Sequence, residues 1–114
     1  MTPTARSLAE LRKQGYLAQV VEKWIPQARR RQDLFGCIDI VAIKSDLNGV
    51  LGVQTTTMVH MSERVKKMIL EPSMRVWLQS GNELEVHGWR KMGKKGKRKF
   101  WQVETRRIYL SDIK

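Results

Sequence analysis

Asp39 stands inside the apolar run Cys37-Ile-Asp-Ile-Val-Ala-Ile43, and Gln54 inside a second run, Gly49-Val-Leu-Gly-Val-Gln54-Thr-Thr56. A carboxylate buried without a partner is strongly destabilising, so Asp39 needs a cationic side chain such as Arg31, water at a strand end, or a metal ion. Its setting between Ile38 and Ile40 favours a metal or catalytic role. Asp33, six residues earlier, reads equally well as a ligand or supporting acid of that site and as an ordinary turn residue. Glu10 has the spacing of a far partner to Ser7 in a capping box. Glu22, between Val20 and Trp24, reads as a solvated edge residue or a ligand.

These residues have to be held by short strands. Each apolar run contains four to eight aliphatic residues bounded by Asp, Asn and Gly, which suits a buried strand better than a helix. Side chains alternate along a strand, so Cys37, Asp39, Val41 and Ile43 share a face, as do Val50, Gly52, Gln54 and Thr56. If those faces coincide, Asp39 and Gln54 are neighbours. The turn Ser45-Asp-Leu-Asn-Gly49 favours an antiparallel hairpin between the two strands.

Elsewhere, Thr2-Pro3 suits an N-cap and first helical residue, giving a helix over Pro3 to Gln14 that Gly15 ends. Tyr16 to Trp24 reads as a strand. A second helix runs from Met58 to Leu70, with Met61, Val65, Met68 and Ile69 on one stripe and Pro72 as its stop. Arg75 to Leu78 reads as a short strand, Glu83 to Arg90 as another, and Lys99 to Glu104 pairs with the latter across a basic turn. The expected order is α-β-β-β-α-β with a C-terminal hairpin, an α/β (α+β) domain with a mixed sheet. One domain covers residues 1–114, with its core at about 3–90 and a basic hairpin at about 83–104.

The formal charge is +11, from 22 Lys and Arg against 11 Asp and Glu. That balance points to a polyanion, with nucleic acid ahead of a membrane surface because no amphipathic or lipidation signal accompanies it. Seven of the ten residues from Arg90 to Lys99 are basic. Self-repulsion in a hairpin tip disfavours such a run unless an anion lies there, so Lys94, Lys95, Lys97, Arg98 and Lys99 are expected to contact phosphates. Arg29, Arg30 and Arg31 offer a second phosphate contact. Cys37 is the single cysteine, which excludes an intrachain disulfide, and no apolar stretch or signal peptide stands out, so the chain reads as cytoplasmic. His60 and His87 have no metal-ligand spacing, and no Ser-His-Asp, Cys-His or phosphate-loop pattern is visible. Trp77, Trp89 and Trp101 alternate with aliphatic residues and read as packing side chains rather than base-stacking platforms.

The segments Arg6-Ser-Leu-Ala-Glu-Leu-Arg12, Arg31-Gln-Asp-Leu-Phe-Gly-Cys-Ile-Asp39 and Gly52-Val-Gln-Thr-Thr56, in that element order, resemble the PD-(D/E)XK nuclease superfamily. Within it the chain is similar to small phage-type proteins related to archaeal Holliday-junction resolvases and VRR-NUC domains. The resemblance covers residues 3–90 and implies a restriction-endonuclease-like αβββαβ core. It further implies a metal-dependent DNA endonuclease in which Asp39 and Gln54, with Glu10 or Asp33, bind Mg²⁺ or Mn²⁺. DNA, duplex or branched, is the implied partner, the host cytoplasm the implied location if the chain is phage-encoded, and symmetric cutting of a junction requires a homodimer. Thr56 stands where the family carries a catalytic lysine, and threonine supplies no positive charge. Lys66 or Lys67, on the helix after the third strand, can reach the same place. The alternatives are a catalytically inactive nucleic-acid-binding domain on a nuclease fold and a basic interaction module.

Overall fold

The computed structural model describes residues 1–113 and shows a mixed α+β architecture, a five-stranded mixed sheet with three helices. Helix α1 spans Pro3–Lys13, followed by β1 (Leu17–Val20), β2 (Lys23–Ile25), β3 (Arg30–Gln32), β4 (Ile40–Ile43) and β5 (Leu51–Thr57). A 3-10 turn leads into α2 (Met61–Leu70), then come α3 (Pro72–Gln79), β6 (Glu83–Met92) and β7 (Phe100–Ile108). The large sheet has the order β1-β4-β5-β6-β7, and only β5 and β6 run parallel. Strands β2 and β3 form a separate small hairpin. Among the described residues no helix is long and apolar enough to cross a membrane.

The sheet buries both faces. Leu11 of α1 packs with Ala18, Ile40, Ala42, Leu51 and Val53 on one side. Met61, Val65 and Met68 of α2 and Met74 of α3 cover Ile38, Leu84, Val86 and Ile108 on the other. Helix α1 starts as its sequence indicates, with the Thr2 side chain accepting the Ala5 N–H and proline in the first turn. The β4–β5 hairpin turns at Gly49, whose φ of +83° glycine adopts without a Cβ penalty.

Three local expectations are corrected. Arg75–Leu78 is not a strand but the middle of α3, because Pro72 opens a new helix instead of only stopping the previous one, and the Glu71 side chain caps the Ser73 N–H. The expected strand Tyr16 to Trp24 is broken at Val21 and Glu22, so β1 joins the large sheet while β2 turns away to pair with β3. The last strand also runs further than Glu104, to Ile108, which is buried and paired with Leu84.

Gly52 shows how closely β5 is packed on its α2–α3 side. A Cβ there would lie 2.8 Å from Ile38 Cδ1 and 3.0 Å from Trp77 Cζ2. Gly52→Ala is therefore expected to cost about 1–3 kcal/mol by overpacking, read as a lower urea midpoint at unchanged denaturant slope.

Candidate metal and nucleic-acid site

The irregular segment between β1 and β4 gathers three acids. Glu22 immediately precedes β2 and Asp33 immediately follows β3, so the small hairpin springs from the place where the two carboxylates meet. The turn Asp33 to Cys37 then folds back tightly: Gly36 N–H donates to Asp33 O, and Cys37 and Ile38 N–H both donate to Leu34 O. Phe35 takes a left-handed φ of +53° to make that turn. The result brings carboxylate oxygens of Glu22, Asp33 and Asp39 within 4.8 Å of one another, the one such convergence of potential ligands among the described residues.

Asp39 is set by a β-bulge. Its N–H donates to Val53 O at 2.9 Å, while Ile40 is also the register partner of Val53, so two residues of one strand face one of the other. The Thr55 N–H, which a ladder carbonyl would otherwise accept, donates instead to Asp39 Oδ2 at 2.8 Å. The Thr55 hydroxyl donates to the same oxygen at 3.2 Å and bonds Thr4 of α1 at 2.7 Å. The bulge therefore puts Asp39 beside Thr55. Gln54, one residue earlier on β5, alternates to the opposite face, where it is fully buried with Oε1 lacking any hydrogen-bond partner.

Electrostatically, the three acids are ill-matched without a cation. Burial, then a hydrogen bond shared with Asp33 and the charges of Asp33 and Glu22, push the Asp39 carboxyl up to about 8, against a smaller opposing pull from the Thr55 N–H. Arg31 pairs not with Asp39 but with Glu22, at 2.8 Å. Hard carboxylate oxygens in this number suit Mg²⁺ or Mn²⁺, so the donor set fits the implied metal. Glu10 is not among the three acids; its carboxylate accepts a hydrogen bond from Gln14 Nε2.

The lysines of α2 separate. Lys66 lines a groove of about 450 Å³ with Met58, Met61, Val65, Glu104 and Arg106, toward β7. Lys67 is exposed, and its charge acts on the Cys37 thiol together with those of Glu71, Asp33 and Asp39, although burial dominates and raises that thiol to about 11. Thr56 is buried on the Gln54 side of β5.

Two basic ribbons flank the acids. Lys23 and Arg29 to Arg31 lie exposed on the β2–β3 hairpin. At the other side, β6 pairs with β5 only as far as Trp89, so residues 90–102 project as a free two-stranded ribbon. Because β5 and β6 are parallel, the ribbon, with Lys94, Lys95, Lys97, Arg98 and Lys99 at its tip, leaves from the same end of the sheet as Thr55.

A second polar cluster escaped the sequence. Ser7 Oγ accepts Trp89 Nε1–H at 2.8 Å and hydrogen-bonds His87 Nδ1 at 2.9 Å; His87 Nε2 meets Glu85 Oε1 at 3.1 Å, and Glu85 meets Arg107. Its Ser-His-Glu order does not make a nucleophile, because Ser7 is fully buried and saturated. It clamps α1 to β6. Ser7 thus acts within the helix and not as a capping-box residue. Only a contact between residues 80 apart made the cluster visible, and no local pattern announces it.

No family model, curated protein or solved structure matches the chain.

Proposed function

We propose that the protein is a divalent-metal-dependent DNA endonuclease that hydrolyses phosphodiester bonds. The observation that carries this reading is the convergence of Glu22, Asp33 and Asp39 at the end of the central strands, between two basic ribbons of a chain with a net charge of +11. The connectivity supports it: α1, three antiparallel strands β1, β4 and β5, a helical crossover and a parallel β6 follow the αβββαβ order of PD-(D/E)XK nucleases.

In this reading Asp39, Asp33 and Glu22 hold the ion, which supplies charge stabilisation and an activated water when bound. Thr55 fixes the direction of Asp39 through its N–H and hydroxyl, leaving Oδ1 of Asp39 for the ligand role. Lys67 takes the part of the lysine absent at Thr56 in this reading, on the ground that its charge and those of Asp33 and Asp39 all act on the Cys37 thiol, while Lys66 lines the groove toward β7. The ribbons grip the sugar-phosphate backbone, giving strong salt dependence and little base readout. Paired cuts in a branched substrate would take two copies of the chain.

The test is cleavage of labelled duplex, single-stranded and four-way-junction DNA with Mg²⁺, Mn²⁺ or EDTA. Divalent-dependent cutting should fall at least about 1000-fold in Asp39→Ala and substantially in Lys67→Ala, with Lys66→Ala near wild type. The buried, uncharged Thr56 favours a second reading, a DNA-binding module without turnover. Salt-sensitive binding with no cutting in any metal would establish that reading and remove the first.

A further inference from the structure

We infer that Trp101 forms a stacking platform for unpaired bases, so that the preferred substrate is DNA with a single-stranded or splayed segment rather than continuous duplex. This rests on the nucleic-acid reading above and specifies its substrate. Phe100 and Trp101 follow directly on Lys97-Arg-Lys99 in the most basic part of the chain, yet Phe100 remains 54% and Trp101 43% exposed. Their positions on β7 alternate, so they present rings to opposite faces of the free ribbon, opposite Met92 and Lys91 respectively.

Trp101 is also pre-positioned. The Arg6 guanidinium of α1 lies 3.7 Å from its ring centroid, a cation–π contact that ties the ribbon to the same helix end that bears Thr4. The indole and guanidinium planes together offer an aromatic and a cationic surface, the pair of features that stacks bases without reading their identity. A paired base in continuous duplex has both faces already covered by its neighbours, so only an unpaired one can use the platform. Charge selects the occupant: seven basic residues between Arg90 and Lys99 exclude a cationic or purely apolar partner and attract a polyanion that also carries flat rings.

Geometry relates the platform to the acids. Thr55, His87 and Thr105 lie in one row across β5, β6 and β7, and Trp101 is four residues further along β7 toward the tip. With strand spacing and rise per residue, the platform is about 17 Å from the Thr55–Asp39 contact. That equals about five stacked nucleotide steps, so the unpaired base should lie within that distance of the phosphate at the acids.

Binding is measured by fluorescence anisotropy in EDTA, at one fixed ionic strength, with three DNA probes of equal phosphate number: oligo(dT), a splayed-arm duplex and a blunt duplex. Wild type is expected to bind the first two more tightly than the blunt duplex. Trp101→Leu should lose roughly 5- to 100-fold on the probes with unpaired bases and remain within about 2-fold on blunt duplex, with Trp101→Phe keeping most of the affinity. Equal losses on all three probes, or none, would overturn the proposal. So would a wild-type protein without preference among them, a result that needs no variant to fold. Because no cleavage is read, the platform can stand while the endonuclease reading fails, and a selective Trp101 effect with no cutting in metal marks that case.

Discussion

At pH 8 and without divalent ions, Asp39→Asn is expected to melt several degrees above wild type, while losing the proposed cleavage in Mg²⁺. The sign follows from the direction of the shift. The Asp39 carboxyl is raised from 3.8 to about 8, first by burial and then by the shared hydrogen bond and charge of Asp33. Between those values the native protein retains a proton that the unfolded chain has released. Stability therefore falls as pH rises through that window, with the benefit complete below about 4 and gone above about 8. The swing is on the order of a few kcal/mol. Asparagine keeps the acceptor for Thr55 N–H and hydroxyl, removes the charge and turns a donor toward Asp33. Its pH dependence should be flatter over the same range. Thermal melts from pH 4 to 9 measure this, and adding Mg²⁺ at pH 8 should stabilise wild type while barely moving Asp39→Asn. A wild-type profile that rises from pH 5 to 8 would remove the electrostatic account of the acids.

Ser7→Ala should destabilise the protein by about 2–5 kcal/mol. Ser7 Oγ serves Trp89 Nε1 and His87 Nδ1 at once, and both partners are buried. Removing one oxygen leaves two polar atoms without a partner, each costing about 1–3 kcal/mol. The effect should concentrate on α1, since the cluster joins that helix to β6, and hydrogen exchange of α1 amides should quicken more than that of β5. Ser62→Ala, at an exposed position on α2, should stay within about 0.5 kcal/mol. Because α1 also carries Thr4, which bonds the Thr55 hydroxyl, the same substitution should loosen Asp39 and lower the proposed cleavage beyond what the fraction folded explains.

How far the chain could be read varied with the range of the interactions involved. The β4–β5 hairpin was legible because its apolar runs and the Asn48-Gly49 turn are both local signals. Helix α1 was legible through Thr2 and Pro3, whose capping chemistry acts within one turn. Helix α3 was misread because Arg75 to Leu78 is too short an apolar run to separate strand from helix without the cap at Glu71. At the acids, Asp33 and Asp39 were recognisable by type and spacing, whereas Glu22 became a member only when β2 left the sheet and formed its own hairpin. Alternation alone placed Asp39 beside Gln54, and the bulge at Val53 moved it to Thr55 instead. An extra residue in a strand reverses the faces beyond it and leaves no mark in composition.

The sequence by itself determined the mixed helix and strand content, the excess of positive charge and its concentration between Arg90 and Lys99, and the presence of a buried acid in an apolar run, because each depends on residues adjacent in the chain. Only the tertiary structure decided which acids meet, that Lys66 lines a groove toward β7, that Ser7 clamps α1 through His87 and Trp89, and that both basic ribbons leave from the acid end of the sheet. Those outcomes depend on strand order, on the parallel pairing of β5 with β6 and on one bulge, all of which are set by packing between segments far apart in sequence.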